Sequence, residues 1–325
     1  MITAPEITLY WIIAAIFTSL VAGSIVRFIA LRNTEQSRRQ KRLASLRTWW
    51  ILAIFLSAGL LAGRAGICLL LAVASCIAWF EITRMFDPRA EDQLAIRAGY
   101  GLIVINYLLI LSGSTELYRF FLPITSIFVF AVLLLIKGEA AGYIRSAGGL
   151  LWGMLFLGYG LSHAAYLLTL PEAAAGPLGQ AGWFLFLVIL TESNDIFQAI
   201  IGRAFGAHKR HRITPVISPN KTWEGFIGGM LVTITLAVLT APWLTTLGKQ
   251  PGPFALPALL QPVLAAILIA IAGFFGDINM SAIKRDAGVK DSSNLLPGMG
   301  GVIDRVDSLT MTAPVFVYFL SWVLA

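Results

Sequence analysis

The chain has 325 residues, of which 58% are hydrophobic and only 13% charged, with a mean hydropathy of +0.80. A soluble fold of this length needs far more polar surface, so composition excludes a pair of soluble domains and predicts one polytopic helical membrane domain. The formal net charge of +7 points to anionic lipid headgroups. It does not point to nucleic acid, because the bases are split among short stretches and form no continuous stripe.

Apolar runs suited to crossing about 30 Å of hydrocarbon recur at 8–31, 49–63, 66–83, 98–113, 120–136, 147–170, 181–201, 225–247, 259–279 and 309–325. They predict an all-α fold of about nine or ten spans. The run at 49–63 is short, and if 49–83 forms a single hairpin or a re-entrant element the count falls. The first run has no Lys or Arg before it and the basic segment Arg32–Arg47 after it. That pattern reads as a first span with its N-terminus outside, followed by a topology-setting loop, and not as a cleaved leader. With this orientation 20 of the 24 Lys and Arg fall on the cytoplasmic side, as the positive-inside rule requires.

Spans before Ala147 carry few ionisable residues away from their ends, so 1–146 reads as scaffold and 147–325 as the catalytic part of one integrated domain. Cys68 and Cys76 have no metal-ligand spacing and read as small core residues. Glu81, near the inner end of the third span, reads as a helix-end acid at the interface.

From about Gly182 onward, acids enter the spans themselves: Glu192 and Asp195 in LTESNDIFQ, and Asp277 in FFGDINMS. A carboxylate in hydrocarbon is costly, so such residues face a cavity, a base or a cation. The bland alternative is an ion pair that only holds helices together.

Two polar constellations follow. In Gly202–Gly225, the run Ser218-Pro219-Asn220-Lys221-Thr222 offers hydroxyl, amide and ammonium groups on a restrained turn, which suits a nucleotide. Lys209, Arg210 and Arg212 could add phosphate contacts. His208 and His211 lack a third nearby ligand, which argues against zinc. In Gly276–Asp307, the acids Asp277, Asp291, Asp304 and Asp307 stand among Lys284, Arg285, Lys290 and Arg305. Asp304 and Asp307 share a face of a helix starting near Val302, and with Asp277 they could hold one or two Mg²⁺ or Mn²⁺ ions. The turn Pro297-Gly298-Met299-Gly300-Gly301 brings backbone amides close to whatever those acids bind. The alternative is a solvated loop whose charges neutralise one another.

Ser281-x-x-Lys284-Arg285, Lys290-Asp291, Pro297-Gly298-x-Gly300-Gly301 and Asp304-Arg305-x-Asp307 resemble the signature of the phosphatidate cytidylyltransferase family. Ser218 to Gly225 resembles that family's second motif and Asn194-Asp195 a third. The likeness runs from Thr191 to Ser308, a little over a third of the chain. One position departs: the family's turn usually reads Pro-Gly-His-Gly-Gly, and here Met299 stands in place of histidine, so whatever an imidazole does there is missing.

The resemblance implies that CTP and phosphatidic acid react to give CDP-diacylglycerol and pyrophosphate with Mg²⁺, for which Mn²⁺ could substitute. It implies Asp277, Asp304 and Asp307 as metal ligands, with Asp195 as a further ligand or an orienter. Ser218, Asn220 and Lys221 would hold the nucleotide. Lys284, Arg285, Lys290 and Arg305, with the Gly300 and Gly301 amides, would contact phosphates. The expected setting is a bacterial inner membrane with membrane lipids as surroundings and no nucleic acid as partner. A homodimer is left open. The competing expectations are a CTP-dependent polyprenol or phytol kinase, a membrane transporter, and a catalytically silent homologue.

Overall fold

The structure, a computed structural model of the chain, describes residues 4–31, 35–136, 140–171, 176–206, 211–249 and 256–324. Among them ten helices are long and apolar enough to cross a membrane. They are α1 (Ala4–Ala30), α2 (Gln36–Leu61), α3 (Gly63–Met85), α4 (Gln93–Leu111), α5 (Thr115–Ile136), α6 (Tyr143–Thr169), α7 (Ala181–Phe205), α8 (Trp223–Leu244), α9 (Leu260–Asp286) and α10 (Ile303–Val323). The chain is therefore an all-α polytopic membrane protein, as expected: helices satisfy their own backbone groups and ask nothing of lipid.

The short apolar run at 49–63 belongs to a full span, because α2 begins at Gln36. The basic segment Arg32–Arg47, expected to be a loop, is from Gln36 onward the first turns of that helix. Long basic side chains lie along a helix end at a membrane surface without strain, since their heads reach water while their stems stay apolar. Apolar periodicity alone does not see such an extension.

A two-stranded hairpin interrupts the helices between α7 and α8. Its strands β1 (Arg212–Thr214) and β2 (Ser218–Thr222) run antiparallel. Thr222 ends β2 and caps α8, its hydroxyl accepting from the Gly225 N–H at 3.2 Å. This cap ties the orientation of the hairpin to the helix it precedes.

Close helix contacts position the polar residues. Gly225 and Gly229 lie one turn apart on α8 against Gln198 of α7. A Cβ at Gly225 would stand 2.6 Å from the Gln198 carbonyl oxygen, and one at Gly229 2.5 Å from its Cγ. Small residues of this kind let helices approach where lipid supplies no hydrophobic drive. Asn194 of α7 fastens its neighbours, donating to the Ala270 carbonyl of α9 at 3.5 Å and accepting from the Thr233 hydroxyl of α8 at 3.3 Å. Thr191 donates to Thr312 of α10 at 3.0 Å. Between α9 and α10, a Cβ at Gly276 would come within 2.8 Å of the Asp307 carbonyl oxygen. That approach places Asp277 and Asp307, each next to the contact, on the same side.

Candidate active site

At the end of the bundle that carries the hairpin, a cavity of about 730 Å³ opens between α7, α9, the start of α10 and β2. Glu192 and Asp195 reach it from α7, Ser218, Asn220 and Lys221 from β2, Asp277 and Lys284 from α9, and Asp304, Arg305 and Asp307 from α10. The two polar constellations, far apart in the chain, thus line one space.

Lys221 stands among the acids. Its Nζ donates to Asp277 Oδ2 at 2.7 Å and to Gln198 Oε1 at 3.1 Å, and lies 3.9 Å from Asp195 Oδ1. Burial acts to lower the pKa of this ammonium, but the carboxylates of Asp277 and Asp195 outweigh it and hold the group above the ordinary lysine value. Asp195 accepts a 2.5 Å hydrogen bond from Ser308 on Oδ2, while its buried Oδ1 has no hydrogen-bond partner among the described residues. Asp307 caps the Ser308 N–H at 2.9 Å and lies within electrostatic reach of both Asp277 and Asp195.

Asp304 is placed differently. Its Oδ1 pairs with Lys284 at 2.5 Å, and its Oδ2 accepts from the Ser292 N–H at 3.0 Å and the Gly301 N–H at 2.9 Å, with the Ser292 hydroxyl oxygen 3.1 Å away. Both oxygens are thus engaged within the protein, and Asp304 organises the connection between α9 and α10. Gly301 spends its amide on Asp304, and Gly300 has φ +85°, a left-handed conformation natural to glycine.

The remaining expected residues are spread more widely. Arg285 is exposed and donates to the Val289 carbonyl at 3.0 Å, Lys290 is exposed, and neither lines the cavity. Asp291 does line it. Lys209, Arg210 and His208 lie outside the described residues. His211 pairs with Glu224, away from the acids. Met299 closes a turn, its N–H donating to the Leu296 carbonyl at 2.9 Å, and is not part of the cavity lining. The turn is thus formed without a histidine.

Three participants escaped the sequence reading. Gln198 orients Lys221, and because an ammonium can only donate, its Oε1 must face Nζ. Its other amide atom, Nε2, is buried with no hydrogen-bond partner among the described residues. Arg203, in the last turn of α7, also lines the cavity. Glu81, expected at the interface, is instead 2% exposed and bonded to the α9–α10 connection. For Gln198 a signal existed in the sequence, a polar residue three positions after Asp195 in an apolar span. For Glu81 none did, since its partners come from the other end of the chain.

Residues 43–323 match the model of the Cytidylyltransferase family. The chain belongs to that family. This cytidylyltransferase is 37% identical over 311 residues to the uncharacterised protein YnbB of Escherichia coli (strain K12), covering 95% of this chain and 97% of that one. It is 30% identical over 256 residues to the phosphatidate cytidylyltransferase of Chlamydia pneumoniae, covering 77% and 80% of the two chains. With the Haemophilus influenzae protein of the same name it shares 39% identity over 140 residues, 43% of this chain and 46% of that one. Family membership makes the protein a CTP-using transferase embedded in the membrane.

Proposed function

We propose that the protein transfers the cytidylyl group of CTP to phosphatidic acid, giving CDP-diacylglycerol and pyrophosphate. The observation that carries this reading is the meeting of Ser218, Asn220 and Lys221 with Asp195, Asp277 and Asp307 around one cavity. Relatives named phosphatidate cytidylyltransferase support the choice of acceptor.

Both reactants are anions and repel each other, so the site must neutralise them and set their geometry. Ser218 and Asn220 supply directional hydrogen bonds for the nucleotide. Lys221 and Arg305 supply phosphate charge, and the buried Arg305 Nε has no hydrogen-bond partner among the described residues. Lys284 already faces Asp304 and acts mainly by holding it. An oxygen of the lipid phosphate attacks the α-phosphorus of CTP. The bond from that phosphorus to the bridging oxygen breaks, and pyrophosphate leaves with the electron pair. A phosphate monoester, with a second pKa of about 6, is already largely ionised at neutral pH, so the reaction needs no strong base and no histidine at position 299.

A hard divalent cation, Mg²⁺ or Mn²⁺, suits the carboxylates of Asp195, Asp277 and Asp307, and the unpartnered Asp195 Oδ1 is the atom that argues for it. In the present side-chain arrangement no three acids are drawn into a ligand set among the described residues, and Lys221 occupies the space between them. When bound, the cation would supply charge compensation for the triphosphate and the leaving pyrophosphate.

The distribution of Lys and Arg supports an inner-membrane protein with its N-terminus outside and the cavity on the cytoplasmic side, where CTP is available. The reaction is tested by incubating the purified protein with α-labelled CTP, phosphatidic acid and Mg²⁺. The expected products are a labelled liponucleotide and pyrophosphate, with none formed in EDTA. Release of CDP with a phosphorylated lipid alcohol would assign the protein instead to lipid kinases.

A further inference from the structure

Glu81 lies near the end of α3, buried, and its carboxylate receives four hydrogen bonds from the α9–α10 connection. Ser293 donates to Oε1 at 2.6 Å and Ser292 to Oε2 at 2.9 Å; the N–H groups of Val302 and Ile303 donate at 2.9 Å each. Among the described residues no Lys, Arg or His forms an ion pair with it. Its charge is met instead by four N–H and O–H donors, two of which are at the start of α10, where backbone donors lack partners inside the helix. A carboxylate suits this place because it only accepts. A carboxamide would turn an NH₂ group toward N–H donors.

The loop is shaped around this carboxylate. A Cβ at Gly301 would collide with the Glu81 carboxylate and the Ser292 hydroxyl, so a larger residue there would displace these side-chain ends. The Ser292 hydroxyl also lies 3.1 Å from Asp304 Oδ2, and Asp304 in turn holds Lys284. A continuous polar chain thus runs from α3 through Ser292 and Asp304 to the cavity wall. A second tether comes from α2, where the Thr48 hydroxyl donates to the Pro297 carbonyl at 3.0 Å.

We infer that Glu81 is a positioning residue for the transfer reaction. It fixes the first turn of α10 and thereby the places at which Arg305 and Asp307 meet the substrates. The N-terminal half of the chain therefore takes part in the chemistry as well as in the scaffold. This inference rests on the proposed function for its kinetic readout alone.

The test compares the wild type with E81Q and S293A as full-length proteins in phosphatidate-containing micelles. Turnover and the KM for CTP are measured, with amide hydrogen exchange at Val302 and Ile303. E81Q is expected to lower kcat by about 10²-fold, the scale of a small misplacement at a reacting centre. The KM for CTP should stay within about twofold, because the β1–β2 hairpin still holds the nucleotide. Exchange at the two amides should rise while that in α7 and α8 is unchanged. S293A, which removes one donor of four, should give the same pattern at roughly a fivefold loss of turnover. Should E81Q fail to fold, S293A decides. Wild-type turnover in the folded variants, or lost turnover with unchanged exchange, would overturn the inference. If the wild type itself makes no liponucleotide, the proposed reaction fails while the exchange comparison still decides whether Glu81 fixes the turn.

Discussion

Lys221, half-buried, and Lys284, buried, are both ammonium groups paired to aspartate, yet they do different things. Lys221 stands between Asp277 and Asp195 in the open cavity, whereas Lys284 is closed off with Asp304 beneath the loop. K221M should therefore abolish turnover, and D304N should act first on stability. Removing one partner of a buried pair leaves an uncompensated charge and costs about 3–5 kcal/mol, so D304N should unfold at markedly lower temperature in detergent. Tryptophan fluorescence melts of both variants check this, and a D304N protein as stable as wild type would return Asp304 to the role of substrate-binding or metal residue. The pKa of Lys221, held above the ordinary value, also fixes a pH expectation. A raised value means that its ion-pair stabilisation is complete below the unfolded lysine pKa of about 10.4 and is lost only as pH rises past the still higher folded value. A profile of turnover from about pH 6 to 9 should accordingly show no limb from Lys221. At this scale Asp195 and Asp277 were legible because a carboxylate inside an apolar span demands an explanation, and Asp307 because its spacing from Asp304 puts both on one face of a helix. Glu81 and the engagement of Asp304 were not, since hydrogen bonds between distant segments leave no mark in either segment alone.

Two elements turn these residues into a site. The β1–β2 hairpin delivers Ser218, Asn220 and Lys221, and its alignment is secured by the Thr222 cap on α8. The α9–α10 connection delivers the rest, folded over Asp304 with Gly300 at φ +85°. Any side chain at position 300 pays for that left-handed backbone, about 1–2 kcal/mol, and a Cβ there would also collide with the Asp304 carboxylate. G300A should thus lose turnover and loop protection together in hydrogen exchange, whereas G298A, exposed and also left-handed at φ +76°, should show chiefly the backbone cost. Equal effects of the two would mean that contact with Asp304 is unimportant. The glycine-rich turn and the helix starting near Val302 could be read from the sequence. The hairpin could not, because three- and five-residue strands flanking a proline carry no clear alternation, and helix ends such as that of α2 extend past their apolar runs into charged residues.

For the whole molecule, ten spans put the hairpin, the α9–α10 connection and the Glu81 end of α3 on one side of the membrane, since each follows an odd-numbered span. By the positive-inside rule, the excess of Lys and Arg on that side predicts that it faces the cytoplasm. Cysteines introduced at exposed Val216, in the hairpin turn, and at Ser114, between α4 and α5, should react with an impermeant maleimide from opposite sides. In intact spheroplasts Ser114→Cys is expected to label and Val216→Cys is not; the reverse would invert the topology and remove the cavity from CTP. The number of spans was legible because hydropathy acts through the bilayer, which each segment must satisfy locally. The meeting of α3 with the α9–α10 connection depends on packing and was not.

The most direct measurement is label transfer from α-labelled CTP to phosphatidic acid by wild-type protein and by D277N, an isosteric change that leaves Lys221 beside Asp195 and Gln198. The expected result is a labelled liponucleotide from the wild type and a loss of roughly 10³-fold in D277N, on the scale of removing a preorganised electrostatic group, with the melting profile of a folded protein. Transfer by D277N at the wild-type rate would contradict the assignment of the Asp195, Asp277 and Asp307 cluster as the reaction centre.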